Sequence, residues 1–184
     1  SAERLIRAYH SHCVAPDLDT LFGFLEAAHS TNDRLKKALG IEFLDIPEFL
    51  ALKCLRNFFH HHDELRHEVR IQTDLLFLCL AHRELIDEAI GQVPQRFRSE
   101  TLAACEATFH WYGKIVNINP CVFNFVVHAY ERMLAAEIPL LGPEVDVFRE
   151  SYDFETESAR SHLVDGRIST LVGGIEPLLL EMMA

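Results

Sequence analysis

Apolar residues recur along this chain at spacings of three and four, the repeat of one helix face, and sustained apolar–polar alternation is absent. Ala2 to about Val14 reads as a first helix, stopped at Pro16. Asp17 or Asp19 opens a second, which turns Leu18, Leu21, Phe22, Leu25 and Ala28 toward a core and ends at Gly40. The third has the best-marked start. Pro47 suits a first-turn position, and Asp45 with Glu48 three residues later has capping-box register. That helix carries Phe49, Leu50, Leu52 and Leu55 toward a run of histidines. A fourth is expected from about Asp63 to Ile90, stopping at Gly91. Pro94 starts a further segment, Ser99 to Val116 reads as a helix, and Pro120 to Ala136 as another, strongly apolar on one side. A last helical region is expected over about Val145 to Met183, broken near Gly166 and at Gly173-Gly174. The pattern predicts an all-α bundle of six to eight helices joined by short links.

Length and composition narrow this picture. At 184 residues the chain is the size of one domain over 1–184, or of two joined halves, 1–92 and 93–184. Apolar residues are 49% and charged residues 24%, a globular mixture with no sign of disorder. The net charge of −11 excludes a protein that coats nucleic acid, because that mode rests on cationic surface displacing counterions from phosphates. A few arginines gathered at one site could still hold a phosphate. Five cysteines at wide spacing sit in apolar patterns as small hydrophobes, the usage of a reducing, cytoplasmic setting. The central apolar run, Leu75 to Ala81, is far too short for a membrane span, and no basic-then-apolar leader is read at the start.

Chemistry concentrates in Leu55-Arg56-Asn57-Phe58-Phe59-His60-His61-His62-Asp63-Glu64. On a helix, His60 lies one turn after Arg56 and His61 one turn after Asn57, so these polar groups share a broad face while Phe58 and part of Phe59 turn into packing. Arginine offers a fixed fork of donors that matches two phosphate oxygens at any working pH. Histidine accepts or donates a proton near neutrality, and asparagine orients either without adding charge. Together they form a kit for attack of a ribose 2′-hydroxyl on its neighbouring phosphate.

At these residues the chain resembles the HEPN family, helical-bundle domains of prokaryotic toxin–antitoxin, abortive-infection and CRISPR-associated ribonucleases. The family signature is an arginine, a polar residue, and a histidine after four to six intervening positions, which Arg56-Asn57-Phe58-Phe59-His60-His61 fits in its four-spacer form. His62 fits a five-spacer reading equally well. The resemblance implies metal-independent cleavage of RNA, with no cofactor, in a composite site where two copies of the motif face each other across a homodimer. It also implies that Arg56 holds the scissile phosphate, His61 moves protons or orients substrate, Asn57 positions them, and His60 or His62 assists. A toxin of this kind would meet an antitoxin or regulatory partner.

Other readings compete. Arg56 could be a surface arginine paired with Glu64 or Asp63, with the histidines a solvated helix end, in a catalytically silent helical protein that binds another protein. Glu26-Ala27-Ala28-His29 and Glu64-Leu65-Arg66-His67 each place a carboxylate and an imidazole on one face, the germ of a metal-binding bundle if Glu106 and Glu131 completed it. His62-Asp63, with His29 upstream, weakly resembles the metal-binding doublet of HD-type phosphohydrolases. The aromatic group Phe109, Trp111, Tyr112, Phe123, Phe125 and Tyr130 reads as the core of the second half, with His110 and His128 as hydrogen-bonded core or boundary residues. Asp146, Glu150, Asp153, Glu155 and Glu157 form an acidic patch, either a solvated face or a seat for a basic partner.

Overall fold

The computed structural model of the chain describes residues 2–61, 69–73, 76–169 and 173–184. Among them, eight helices and four short strands follow one another: α1 (Ala2–Val14), α2 (Leu18–Leu39), α3 (Pro47–His61), β1 (Val69–Gln72), β2 (Leu78–His82), α4 (Arg83–Gln92), α5 (Gln95–Thr108), β3 (His110–Tyr112), β4 (Ile115–Asn117), α6 (Asn119–Ala135), α7 (Pro143–Glu157) and α8 (Glu176–Met183). No helix among the described residues is long and apolar enough to cross a membrane.

Local chemistry explains the helix ends. Asp17, rather than Asp19, caps α2: its carboxylate accepts from the Thr20 N–H while the Thr20 hydroxyl accepts from the Asp17 N–H, so two otherwise orphaned donors are satisfied. Gly40 closes the same helix at φ +70, a left-handed conformation that costs glycine nothing. Pro47 opens α3 as expected. The expected Asp45–Glu48 capping box gives way to tertiary partners. Asp45 is gripped by the Arg132 guanidinium, with Nη2 to Oδ2 at 2.8 Å, and Glu48 faces His128 at 3.8 Å.

The fold is mostly helical, with eight helices among the described residues as expected, and a small sheet qualifies the all-α expectation. A four-stranded antiparallel sheet runs in the order β1-β2-β4-β3, with Ile71 opposite Cys79 and Ala81 opposite Val116. The expected helix from Asp63 to Ile90 is, where described, the β1–β2 hairpin followed by α4, with Gly91 inside α4 rather than after it. The expected helix from Ser99 to Val116 ends at Thr108, and β3 and β4 follow. Alternation gives no warning of β2 because it is covered on both sides. Cys79 and Ala81 face the main helical core, whereas Leu78 and Leu80, with Ile115, pack on Ile175, Leu179 and Met183 of α8. A strand buried twice reads as a plain apolar run.

One contiguous core holds residues from Ala2 through Val145, so α1–α3 share it with α5 and α6. At its centre Phe43, Phe49 and Phe125 meet with ring centroids 5.5 to 5.7 Å apart. Of the aromatic group expected there, Phe109, Phe125 and Tyr130 are fully buried, while Trp111 and Tyr112 lie half-covered on β3 rather than on a helix. His12 is wholly buried. Its Nδ1 lies 3.0 Å from the Thr20 hydroxyl, tying α1 to α2, while the Asn119 amide nitrogen donates to the Phe77 carbonyl at 3.0 Å, tying α6 to the strand entry. Two acidic residues of α7 have partners within the chain, Asp146 the Arg149 guanidinium and Glu155 the His162 ring at 2.8 Å.

Candidate functional site

Helix α3 is the spine of the site. Its apolar positions, Phe49, Leu52, Leu55, Phe58 and Phe59 among them, face the core and are buried. This leaves Lys53, Arg56, Asn57, His60 and His61 on the remaining face, as the 100° step between residues requires. Phe58 and Phe59 do turn inward, Phe59 meeting Phe22 of α2 edge to face at 5.0 Å. The polar face divides along two neighbours. Arg56 and His60 look toward α2, whereas Asn57 and His61 look toward a cleft bounded by α4 and α5.

On the α2 side, each of the three Arg56 guanidinium nitrogens has a partner. Its Nε donates to Glu26 Oε1 at 2.8 Å and its Nη2 to Glu26 Oε2 at 3.1 Å, a two-pronged pair. Its Nη1 donates to Asn57 Oδ1 at 3.2 Å. His60 Nδ1 stands 4.0 Å from the same Glu26 carboxylate. His29, one turn beyond Glu26, is held below the ordinary imidazole range first by burial, with Arg56 and Lys53 adding to the effect and Asp33 and Glu26 opposing it. It is therefore neutral at physiological pH, with Nδ1 3.3 Å from Asp33. The carboxylate in the Arg56 fork occupies the place that two phosphate oxygens would take.

On the other side, Asn57 and His61 line an open cleft of about 550 Å³, a size that accepts a nucleotide-scale ligand. His60 and His61 stand side by side with ring centroids 5.3 Å apart, and both are exposed. The structure thus brings Arg56, Asn57, His60 and His61 together along one helix edge. His62 lies outside the described residues, as do Asp63, Glu64 and His67.

The metal reading finds no support here. Glu26 is committed to Arg56 and His29 to Asp33, while Glu131 takes the Tyr152 hydroxyl at 2.9 Å. Among the described residues no three histidine, cysteine, aspartate or glutamate side chains gather as a metal site. His110 is buried, its Nδ1 without a hydrogen-bond partner among the described residues, and is held below its ordinary pKa mainly by that burial, whereas His128 is a half-buried boundary residue between Glu48 and Glu131.

The residue order offered Glu64 or Asp63, both outside the described residues, as partners for Arg56 and pointed to Glu26 only as a metal candidate. The available signal was a carboxylate beside the apolar positions Phe22 and Leu25 of α2, which calls for a cation from a neighbouring helix. Sequence reasoning also missed the cleft residues Phe97 and Glu100, which single positions on α5 do not betray. No family model, no curated protein and no solved structure matches the chain.

Proposed function

We propose that this chain is a HEPN-like, metal-independent endoribonuclease of the toxin or phage-defence kind. The observation that carries the reading is continuity: Arg56 hydrogen-bonds Asn57, and Asn57 and His61 line a cleft large enough for a nucleotide. In this reading Arg56 binds the scissile phosphate, exchanging the Glu26 carboxylate for phosphate oxygens. One imidazole of the His60–His61 pair takes the 2′-hydroxyl proton as that oxygen bonds to phosphorus. The P–O5′ bond breaks, and a second imidazole, from the same pair, His62 or the motif of a second copy, protonates the departing oxygen. The products are a 2′,3′-cyclic phosphate and a free 5′-hydroxyl. Asn57 keeps the guanidinium and the imidazole in register. A homodimer with facing motifs and an antitoxin-like partner belong to the same proposal.

A second reading rests on the Glu26 pair itself. With its fork closed on Glu26, Arg56 is also a good staple between α2 and α3, as in a catalytically silent protein that works by binding another protein. Incubating the full chain with single-stranded RNA in excess chelator separates the two. Cleavage that leaves cyclic phosphate ends and disappears in Arg56→Ala and in His61→Ala supports the enzyme. Intact RNA, or cleavage untouched by both changes, leaves the binding protein.

A further inference from the structure

The cleft beside Asn57 and His61 has more in it than a phosphate site needs. It is lined mainly by apolar side chains, Phe58 and the 46% exposed Phe97 among them. The Arg96 guanidinium lies over the Phe97 ring at 4.6 Å. Two residues of opposite charge are also among its lining, Lys53 of α3 and the exposed Glu100 of α5. Neither makes a hydrogen bond or ion pair with another described residue. A flat ring with donors and acceptors on its edge is what such a slot accepts.

We infer that this cleft is a nucleobase pocket that seats the base on the 5′ side of the cleaved phosphate, and that it prefers guanine. The inference rests on the proposed nuclease site, since Asn57 and His61 form its rim. Stacking on an aromatic face holds any base. Selection comes from the edges. Guanine alone combines the O6 and N7 acceptors that lysine reads with two adjacent N–H donors, N1 and N2, that a carboxylate takes in two-pronged fashion. Adenine and uracil lack that donor pair. A base seated here places its own ribose 2′-hydroxyl and 3′-phosphate at the rim, beside His61 and within reach of the Arg56–Asn57 edge.

Calorimetric titration of the full chain with guanosine, guanosine 3′-phosphate and the adenosine and uridine 3′-phosphates tests this without needing catalysis. Guanosine 3′-phosphate should bind at least about fivefold tighter than the other two nucleotides. Phe97→Ala, at an exposed position that spares the fold, should weaken all of them by about tenfold. Glu100→Gln should erase the guanine preference while retaining binding. Arg56→Ala should weaken guanosine 3′-phosphate and leave guanosine, which has no phosphate, unchanged. Equal binding of the three nucleotides, or no effect of Glu100→Gln, overturns the guanine assignment. RNA cleavage that needs Arg56 but shows no base preference and no guanosine binding overturns the pocket and leaves the nuclease standing. Guanosine binding without any cleavage does the reverse.

Discussion

Glu26→Gln is the change that most directly probes whether the Arg56 fork is a staple or a site in waiting. The substitution keeps the size of the side chain and one hydrogen-bond acceptor, and removes one negative charge from the two-pronged pair. Its effect on stability is small. The Arg56 and Glu26 side chains are 22% and 45% exposed, so solvent screens the pair and its worth sits near the top of the exposed range, about 1 kcal/mol. In a domain of this size that lowers the melting temperature by about 2–4 °C. The effect on anion binding has the opposite sign. A phosphate in the fork would sit roughly 5 Å from the carboxylate it displaces. At an effective dielectric constant near 20, that repulsion is about 3 kcal/mol per unit charge before salt screening. If a third of it survives, the glutamine variant binds a nucleotide phosphate about fivefold tighter. Melting curves and titration with guanosine 3′-phosphate at low salt measure both arms on the same preparation. A lower melting temperature with no gain in affinity refutes the reasoning, because the fork would then be a staple that no phosphate enters.

Other outcomes follow from other parts of the molecule. Burial holds His12 below its ordinary pKa, so its contribution to stability is present above the unfolded value near 6.5 and is lost as pH falls below it. The melting temperature should drop between pH 7.5 and 5.5, and His12→Phe should shrink that drop; an unchanged drop assigns it elsewhere. Gly113 turns the β3–β4 hairpin at φ +65, and a methyl group there would also meet the Glu176 carboxylate, which accepts from the Lys114 N–H at 2.7 Å. Gly113→Ala should cost at least about 1–2 kcal/mol in denaturant melts, and a neutral result means that α8 does not depend on the hairpin. Phe125→Ala, at the centre of the aromatic cluster, should cost about 3–5 kcal/mol by the same measurement. RNA affinity should change little between 50 and 200 mM salt, because one arginine contact weakens with salt while repulsion from a chain of charge −11 is relieved. A loss of a hundredfold or more over that range would point to an extended cationic surface instead.

Much of the scaffold could be read from residue order, and the failures have physical causes. Asp17 and Gly40 bound α2 because caps are local chemistry, and Pro47 opens α3 for the same reason. The split of Phe58 and Phe59 from their polar neighbours follows from helix periodicity alone. The sheet was hidden for two reasons. Strand β2 is buried on both faces and so never alternates, and β3 and β4 are three residues each, less than two periods of any pattern. Asp45 was read as a cap because Arg132, 87 positions away, left no mark near it. The same holds at the site. Arg56, Asn57, His60 and His61 were legible as a set, but the carboxylate that fills the Arg56 fork is 30 positions distant and the walls of the cleft come from α4 and α5.

The arrangement on α3 explains why a phosphate site and a base site would have to be neighbours. Arg56 and Asn57 are consecutive, so their side chains leave the helix about 100° apart, one toward α2 and one toward α4 and α5. The helix is locked against rotation by Phe49, Leu52, Leu55 and Phe58 in the core, so neither residue can change sides without disturbing buried packing. The hydrogen bond from Arg56 Nη1 to Asn57 Oδ1 spans the crest between the two sides. A ligand that engages both must therefore drape over that crest, with an anionic group on the α2 edge and a flat apolar group in the cleft. A nucleotide linked through its 3′-phosphate has that shape; free phosphate or a free base satisfies one side only. In an acidic chain this coupling would favour a ligand that engages both sides, since each half alone is too weak to hold the wrong nucleic acid against the repulsion of the whole surface.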